Sequence, residues 1–193
     1  MASLEQALLE LKNQLNGKIK FGDIVSLMKW RGFPIFLILF SLPFCLPVQI
    51  PGASTPFGVA LAFMGLRVAF GKKMWWPKSW LERKVPHEKL NKIINVALKY
   101  NAKIHRFIYP RLTFLTENPL IHRFHGVLAF MLACLLALPI PLPFTNLMAA
   151  FPLLFLGLGL LEDDGLLVII AYLWAFITFA FFTGLFIAGK HLF

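Results

Sequence analysis

Two apolar parts of the chain are interrupted by polar residues that break regular backbone. The first interruption is PVQIPGASTPFG (residues 47–58) and the second is LPIPLPFTN (residues 138–146). Proline removes a backbone donor and glycine loosens the backbone, so neither stretch continues a helix. Such freed carbonyl and amide groups, with amide and hydroxyl side chains, could bind a polar or ionic substrate. The candidate substrate or cavity residues are Pro47, Gln49, Pro51, Gly52, Ser54, Thr55, Pro56, Pro139, Pro143, Thr145 and Asn146.

Three carboxylates stand together in LLEDDG, between two apolar segments. Glu162, Asp163 and Asp164 are costly beside lipid unless they are solvated or paired. One interpretation is a loop that turns at Gly165. In the other, Glu162 enters a membrane-facing cavity, where it pairs with an arginine or takes up a proton or a cation. The candidate partners for these carboxylates are Arg67, Arg111 and Arg123.

Other residues with chemical potential do not form a catalytic constellation. Cys45 and Cys134 lie within apolar segments and are typical of small buried residues. His122 and His125 are close in sequence, but NPLIHRFHG is more typical of an interfacial entry into a membrane segment than of a metal site. The chain contains no nucleophile elbow, P-loop, HExxH or dinucleotide-binding glycine motif. We therefore predict no enzyme activity, cofactor or metal.

The composition predicts that these polar groups lie in an integral membrane protein. Of 193 residues, 59% are hydrophobic and 15% are aromatic. The uncharged segment 166–189 is long enough to cross about 30 Å of hydrocarbon. Four further apolar arms are each about 15 residues long, which is marginal for a crossing. They form two pairs: residues 33–46 with 56–70, and residues 124–138 with 147–161. The amino-terminal residues have no apolar core, so we expect no cleavable signal peptide.

The two pairs of arms resemble each other. A shift of 92 positions places residues 46–66 on 138–158, and both copies carry LPxxxP and FxGL at the same separation. Arg31 then falls on Arg123. The alternative is a chance similarity between leucine-rich segments.

The interruptions have two interpretations. Broken segments at matching positions in two halves are typical of re-entrant hairpins, whose tips at 47–56 and 139–146 would line a buried site. The alternative is an ordinary two-helix hairpin in each half, with the tips as exposed turns.

Basic residues set the expected orientation. Residues 72–111 contain eleven lysines and arginines against two glutamates, and the amino-terminal region is also net basic. The positive-inside rule places both regions in the cytoplasm and the carboxyl terminus outside. Residues 89–108 have an apolar face opposite a lysine-rich face, which predicts an interfacial helix that binds anionic headgroups; packing on protein is the alternative. Residues 4–15 form a second amphipathic helix. Apart from its charge of +10, the chain shows no feature of nucleic-acid binding.

These observations predict an all-α integral membrane protein with two repeated broken or re-entrant helical hairpins, a final transmembrane helix and amphipathic interfacial helices. The expected boundaries are 1–30 for the amino-terminal segment, 31–71 for the first hairpin, 72–122 for the basic region, 123–163 for the second hairpin and 164–193 for the last helix.

The order of the motifs resembles the bacterial exopolysaccharide synthesis protein ExoD family. The resemblance covers about residues 20–190, through IPGASTPFG, YPRLTFLT and LPIPLPFTN followed by GLGLLEDDG. The positions that match are Pro51, Gly52, Ser54, Thr55, Pro56, Gly58, Pro139, Pro143, Asn146, Gly157, Glu162, Asp164 and Gly165. The basic loop is lysine-rich where arginine-rich loops are usual, which weakens any expectation of bidentate phosphate contacts.

The resemblance implies a role in exopolysaccharide production at the bacterial inner membrane. One hypothesis is a small transporter or flippase-like protein for a lipid-linked or ionic substrate, with its site at the two tips. The other is a non-transporting scaffold that supports polysaccharide assembly through its basic interfacial helix. The expected partners are membrane lipids with anionic headgroups, polysaccharide assembly proteins and a second copy of the chain.

Overall fold

The computed structural model describes residues 32–45, 52, 54–72, 82, 109–140 and 144–192. The predicted amphipathic helices at 4–15 and 89–108 lie outside the described residues. The same holds for the parts of the two tips at 47–51, 53 and 141–143.

Within the described residues the fold is helical, as the sequence predicts. The helices are α1 (Gly32–Ser41), which continues as a 3-10 turn (Leu42–Cys45), α2 (Ser54–Ala69), α3 (Phe114–Glu117), α4 (Pro119–Ala137), α5 (Thr145–Leu161) and α6 (Gly165–Leu192). By length and composition, α4 and α6 are each able to cross a membrane, while the other apolar helices are shorter.

Helix α4 is longer than the apolar arm from which it was predicted. The arm begins at residue 124, whereas the helix begins at Pro119 and has 19 residues, or about 28 Å. Asn118 caps its start, because its side chain accepts a hydrogen bond from the Leu120 amide at 2.9 Å. Proline at the first position suits a helix start, since its missing donor is not needed there. The expected length of about 15 residues was therefore wrong for this arm, because it excluded the polar first turns.

Helices α2 and α4 pack antiparallel with their backbones very close. A Cβ atom on Gly58, near the start of α2, would lie 2.6 Å from the Ala137 nitrogen at the end of α4. At the opposite ends of the two helices, a Cβ on Gly126 would lie 2.3 Å from the Ala69 nitrogen. These distances are shorter than any real contact, so glycine is needed at both positions for the helices to approach this closely.

Helices α1 and α5 form a second close pair. A Cβ on Gly157 would lie 2.9 Å from Ile38 Cγ1 and 3.0 Å from the Pro34 carbonyl oxygen. Each helix of the first pair, α1 and α2, therefore packs on a helix of the second pair, α5 and α4 respectively. The long helix α6 lies outside these pairs and packs mainly on α5.

The shift of 92 residues relates these two interfaces in space. It places Gly65 on Gly157, and a Cβ on Gly65 would lie 2.7 Å from the Phe130 nitrogen and 2.9 Å from the Gly126 oxygen. Subtracting 92 from Phe130 and Gly126 gives Ile38 and Pro34, the neighbours of Gly157. The helix ends follow the same shift, since Cys45 corresponds to Ala137 and Ala69 to Leu161.

We predict that Gly126→Ala lowers stability, because its methyl group would force α2 away from α4. Overpacking of this kind costs about 1–3 kcal/mol. The matched control is Gly184→Ala in α6, where an added Cβ meets nothing within 4 Å. Thermal unfolding of the purified protein in detergent should show a lower Tm for Gly126→Ala alone. Equal Tm values for the two variants would contradict the close packing of α2 and α4.

Candidate functional site

The acidic turn between α5 and α6 is held by a two-pronged ion pair. Asp164 is completely buried, and its Oδ1 and Oδ2 atoms accept hydrogen bonds from Arg111 Nε at 2.8 Å and Nη2 at 2.9 Å. Asp164 Oδ1 also accepts from the Leu166 amide at 2.9 Å, so the same carboxylate caps the start of α6. Three donors thus satisfy one buried charge.

The backbone reinforces this ion pair. The Gly165 amide donates to the Arg111 carbonyl oxygen at 2.7 Å, and a Cβ on Gly165 would lie 2.6 Å from the Leu112 oxygen. Leu112 and Asp163 adopt left-handed backbone with φ of 51° and 55°. This conformation is uncommon for residues other than glycine and is maintained by the surrounding contacts. The segment before α3 is therefore joined to the turn before α6 through both side chains and backbone.

Arg111 is held on its other side by Tyr109. The guanidinium carbon lies 4.6 Å from the centre of the Tyr109 ring, a cation–π distance. Hydrogen bonding to Asp164 raises the pKa of Arg111 above its ordinary value, so the arginine stays charged. Because donors already occupy both carboxylate oxygens, this arrangement is better suited to joining two segments than to binding an ion.

The structure places one of the three candidate carboxylates, Asp164, in an ion pair with one of the three candidate arginines, Arg111. In one of the two interpretations of the sequence, Glu162 was the carboxylate singled out for such a pair. Glu162 is buried beside Asp164, at the carboxyl end of α5. Of the other two candidate arginines, the Arg67 guanidinium lies 5.9 Å from the centre of the Phe63 ring, and the Arg123 guanidinium lies beside Gly71. The spacing of the sequence could not reveal which arginine returns to the acidic turn.

The described parts of the two tips lie at the same end of the bundle. Thr55, in the first turn of α2, donates from Oγ1 to the carbonyl oxygen of Ala137, the last residue of α4, at 3.1 Å. This carbonyl belongs to a helix end and has no partner within its own helix. A polar residue of the first tip therefore contacts the end of α4, two residues before the second tip.

The remaining candidate tip residues differ in exposure. Ser54 and Thr145 are buried, Thr55 and Asn146 are half-buried, and Gly52, Pro56 and Pro139 are exposed. Gly52 has a φ of 78°, a left-handed turn conformation that glycine adopts without strain. Pro47, Gln49, Pro51 and Pro143 lie outside the described residues.

Two polar contacts of α6 were not predicted from the sequence. Thr178 donates from Oγ1 to the Met148 carbonyl oxygen of α5 at 2.8 Å, and Tyr172 Oη lies 2.7 Å from His125 Nε2 of α4. The signal that could have found them is the presence of polar side chains in an apolar helix of membrane-spanning length, since such residues usually face protein.

We predict that Asp164→Ala destabilises the protein more than Asp164→Asn. Asparagine keeps an oxygen that can cap α6, whereas alanine removes both the cap and the partner of Arg111; loss of the cap alone costs about 1 kcal/mol. Glu117→Gln, at an exposed carboxylate at the end of α3, is the control. Thermal unfolding in detergent should rank the Tm values as wild type, Asp164→Asn and Asp164→Ala, from highest to lowest. An unchanged Tm for Asp164→Ala would show that the pair does not stabilise the fold.

Comparison with known proteins identifies the family. Residues 4–184 match the family model described as "Exopolysaccharide synthesis, ExoD". The chain is 36% identical over 167 residues to Protein ExoD of Rhizobium meliloti, which covers 84% of this chain and 70% of that protein. It is 29% identical over 195 residues to a Synechocystis protein described as uncharacterized, covering 95% and 91% of the two chains. No solved structure matches. The chain belongs to the ExoD family of exopolysaccharide synthesis proteins.

Proposed function

We propose that this protein is a small inner-membrane transporter or flippase-like protein for a lipid-linked or ionic substrate of exopolysaccharide synthesis. Its two hairpins are re-entrant copies of each other, and their tips form the substrate site. The protein performs no covalent chemistry. The observation that carries the proposal is the contact of Thr178, at the middle of α6, with Met148, one turn after the start of α5.

The depth of the tips is supported by the contact between Thr178 and Met148. Thr178 is the fourteenth of the 28 residues of α6, and Met148 lies one turn from the start of α5. The uncharged part of α6 continues to residue 189, which is eleven residues or about 16 Å beyond Thr178. If α6 spans the bilayer, the start of α5 lies well inside the hydrocarbon layer, where an irregular tip must be enclosed by protein or water.

The contact between the first tip and the end of α4 supports a site that the two hairpins share. Thr55 of the first hairpin bonds to Ala137 of the second, and the buried hydroxyl residues Ser54 and Thr145 begin α2 and α5. Helices that begin within the bilayer direct their free amide groups towards whatever occupies the tip region, a common arrangement in transporters. Anionic groups of a substrate would be stabilised there.

The relation between the hairpins also supports the proposal. Both hairpins point in the same direction, and the same 92-residue shift relates their sequences, their helix ends and the contacts of Gly65 and Gly157. This arrangement matches parallel repeats related by an axis along the membrane normal, one of the two kinds of internal repeat in transporters. The basic residues that precede each hairpin place the opposite end of the bundle in the cytoplasm.

The proposal is tested by complementing a bacterium that lacks its own gene of this family and measuring its exopolysaccharide yield. We expect Thr55→Val and Asn146→Leu to abolish complementation while the protein still inserts and accumulates, because each removes a polar group from the tips. Thr183→Val is the matched control, since the exposed Thr183 hydroxyl bonds only to the Phe179 carbonyl oxygen of its own helix.

Full complementation by both tip variants would overturn the transport proposal. The result would then favour the scaffold, in which polysaccharide assembly proteins, anionic lipids or a second copy bind the surface and the tips are ordinary turns. Measurement of protein abundance in the membrane fraction separates loss of function from loss of the protein.

A further inference from the structure

A histidine is buried where α4 meets α6. The His125 side chain has no solvent exposure, and its Nε2 atom lies 2.7 Å from Tyr172 Oη. Helix geometry places His125 about 9 Å along α4 from Pro119, and Tyr172 about 10 Å along α6 from Gly165. Both groups therefore lie inside the two helices that are long enough to cross a membrane.

The other ring nitrogen of His125, Nδ1, is buried and has no hydrogen-bond partner among the residues that the structure describes. A buried polar atom without a partner costs about 1–3 kcal/mol, and such atoms are rare enough in proteins to require an explanation. The imidazole therefore carries an unused donor or acceptor position in the protein interior.

Packing alone does not require a histidine at this position. The shift of 92 residues places His125 on Phe33, which is also buried, with 3% exposure. An apolar ring thus fills the corresponding place in the first hairpin. The difference between the hairpins coincides with the contact that α6 makes with the second hairpin through Tyr172.

The surroundings of His125 enclose its ring. The Tyr172 ring contacts His125 and Phe124, and the His122 ring contacts His125 and Phe33, with centroid separations of 5.6–6.2 Å. Because Nδ1 is enclosed, a sugar or a lipid headgroup could not reach it without separation of the helices. A proton could reach it through a brief opening.

We propose that His125 and Tyr172 form a proton-binding site within the membrane part of the protein. When the interface between α4 and α6 opens, His125 Nδ1 takes a proton from a hydronium ion, leaving water. The imidazolium then donates its Nε2–H to Tyr172 Oη, a charge-assisted hydrogen bond stronger than the neutral one. The use of this proton to drive transport rests on the proposed function, whereas proton binding itself does not.

The titratable groups around His125 belong to two helices. On α4 itself, His122 lies one turn away, and on α6 the contacting group is Tyr172. The contact from α1 is the apolar Phe33, and α2 approaches the neighbouring Gly126 with the apolar residues Val68 and Ala69. His122, one turn nearer the start of α4, is in a position to pass a proton between water and His125.

The test is a pH titration of the full chain in lipid nanodiscs by nuclear magnetic resonance with ¹⁵N-labelled histidine. The chain has five histidines, and His125→Phe identifies the His125 signals by removing them. We expect the His125 nitrogens to change reversibly from neutral imidazole to imidazolium. Tyr172→Phe should lower the proton affinity of His125 about tenfold, because the imidazolium loses one charge-assisted hydrogen bond. The titration of His191 should stay unchanged.

The proposal is overturned if His125 stays neutral throughout the pH range in which the protein remains folded. It is also overturned if Tyr172→Phe leaves the titration of His125 unchanged. The wild-type measurement requires no variant to fold, and the substitution of tyrosine by phenylalanine removes a single oxygen. Full complementation by the tip variants with reversible protonation of His125 would overturn the transport proposal alone, whereas loss of complementation with His125 neutral at every pH would overturn the proton site alone.

Discussion

The ion pair between Arg111 and Asp164 joins the segment before α4 to the start of α6. Arg111 lies a few residues before α4, and Asp164 caps the first turn of α6, so their contact brings the two helix starts to the same end of the bundle. Two further contacts of α6, His125 with Tyr172 and Met148 with Thr178, lie beyond this end of the bundle. Breaking the pair would be costly, because Asp164 would be left as an uncompensated buried charge.

Close backbone contact also holds the helices of the bundle together. Gly58, Gly65 and Gly126 let α2 and α4 approach along their whole length, and Gly157 does the same for α1 and α5. In a membrane, where lipid provides no hydrophobic driving force between helices, close packing of this kind would be a major source of attraction. The shorter helices are thereby held by other helices of the bundle.

The sequence predicted the helices better than it predicted their contacts. Apolar length located α6 within a few residues, because the end of a long uncharged segment is easily recognised. It placed the start of α4 too late, because the apolar arm was begun after the polar residues His122 and Arg123, and the residues before it were interpreted as an interfacial entry. The acidic turn was identified as a site of charge pairing, but the choice of Asp164 depends on a left-handed residue at Asp163 that reverses the chain. His125 was identified only as a weak metal candidate, because its partner Tyr172 lies 47 residues away in another helix.

The crosswise pairing of the hairpins has a consequence for biosynthesis. Helices α1 and α2 contact each other much less than they contact α5 and α4. During synthesis the first hairpin is therefore complete long before its packing partners exist, since α4 begins 50 residues after the end of α2. Until α4 has been synthesised, Gly58 and Gly65 of α2 lack the helix that they contact in the folded protein. The close backbone packing of the bundle therefore forms late in synthesis, and a chain interrupted before α4 and α5 contains neither close helix pair.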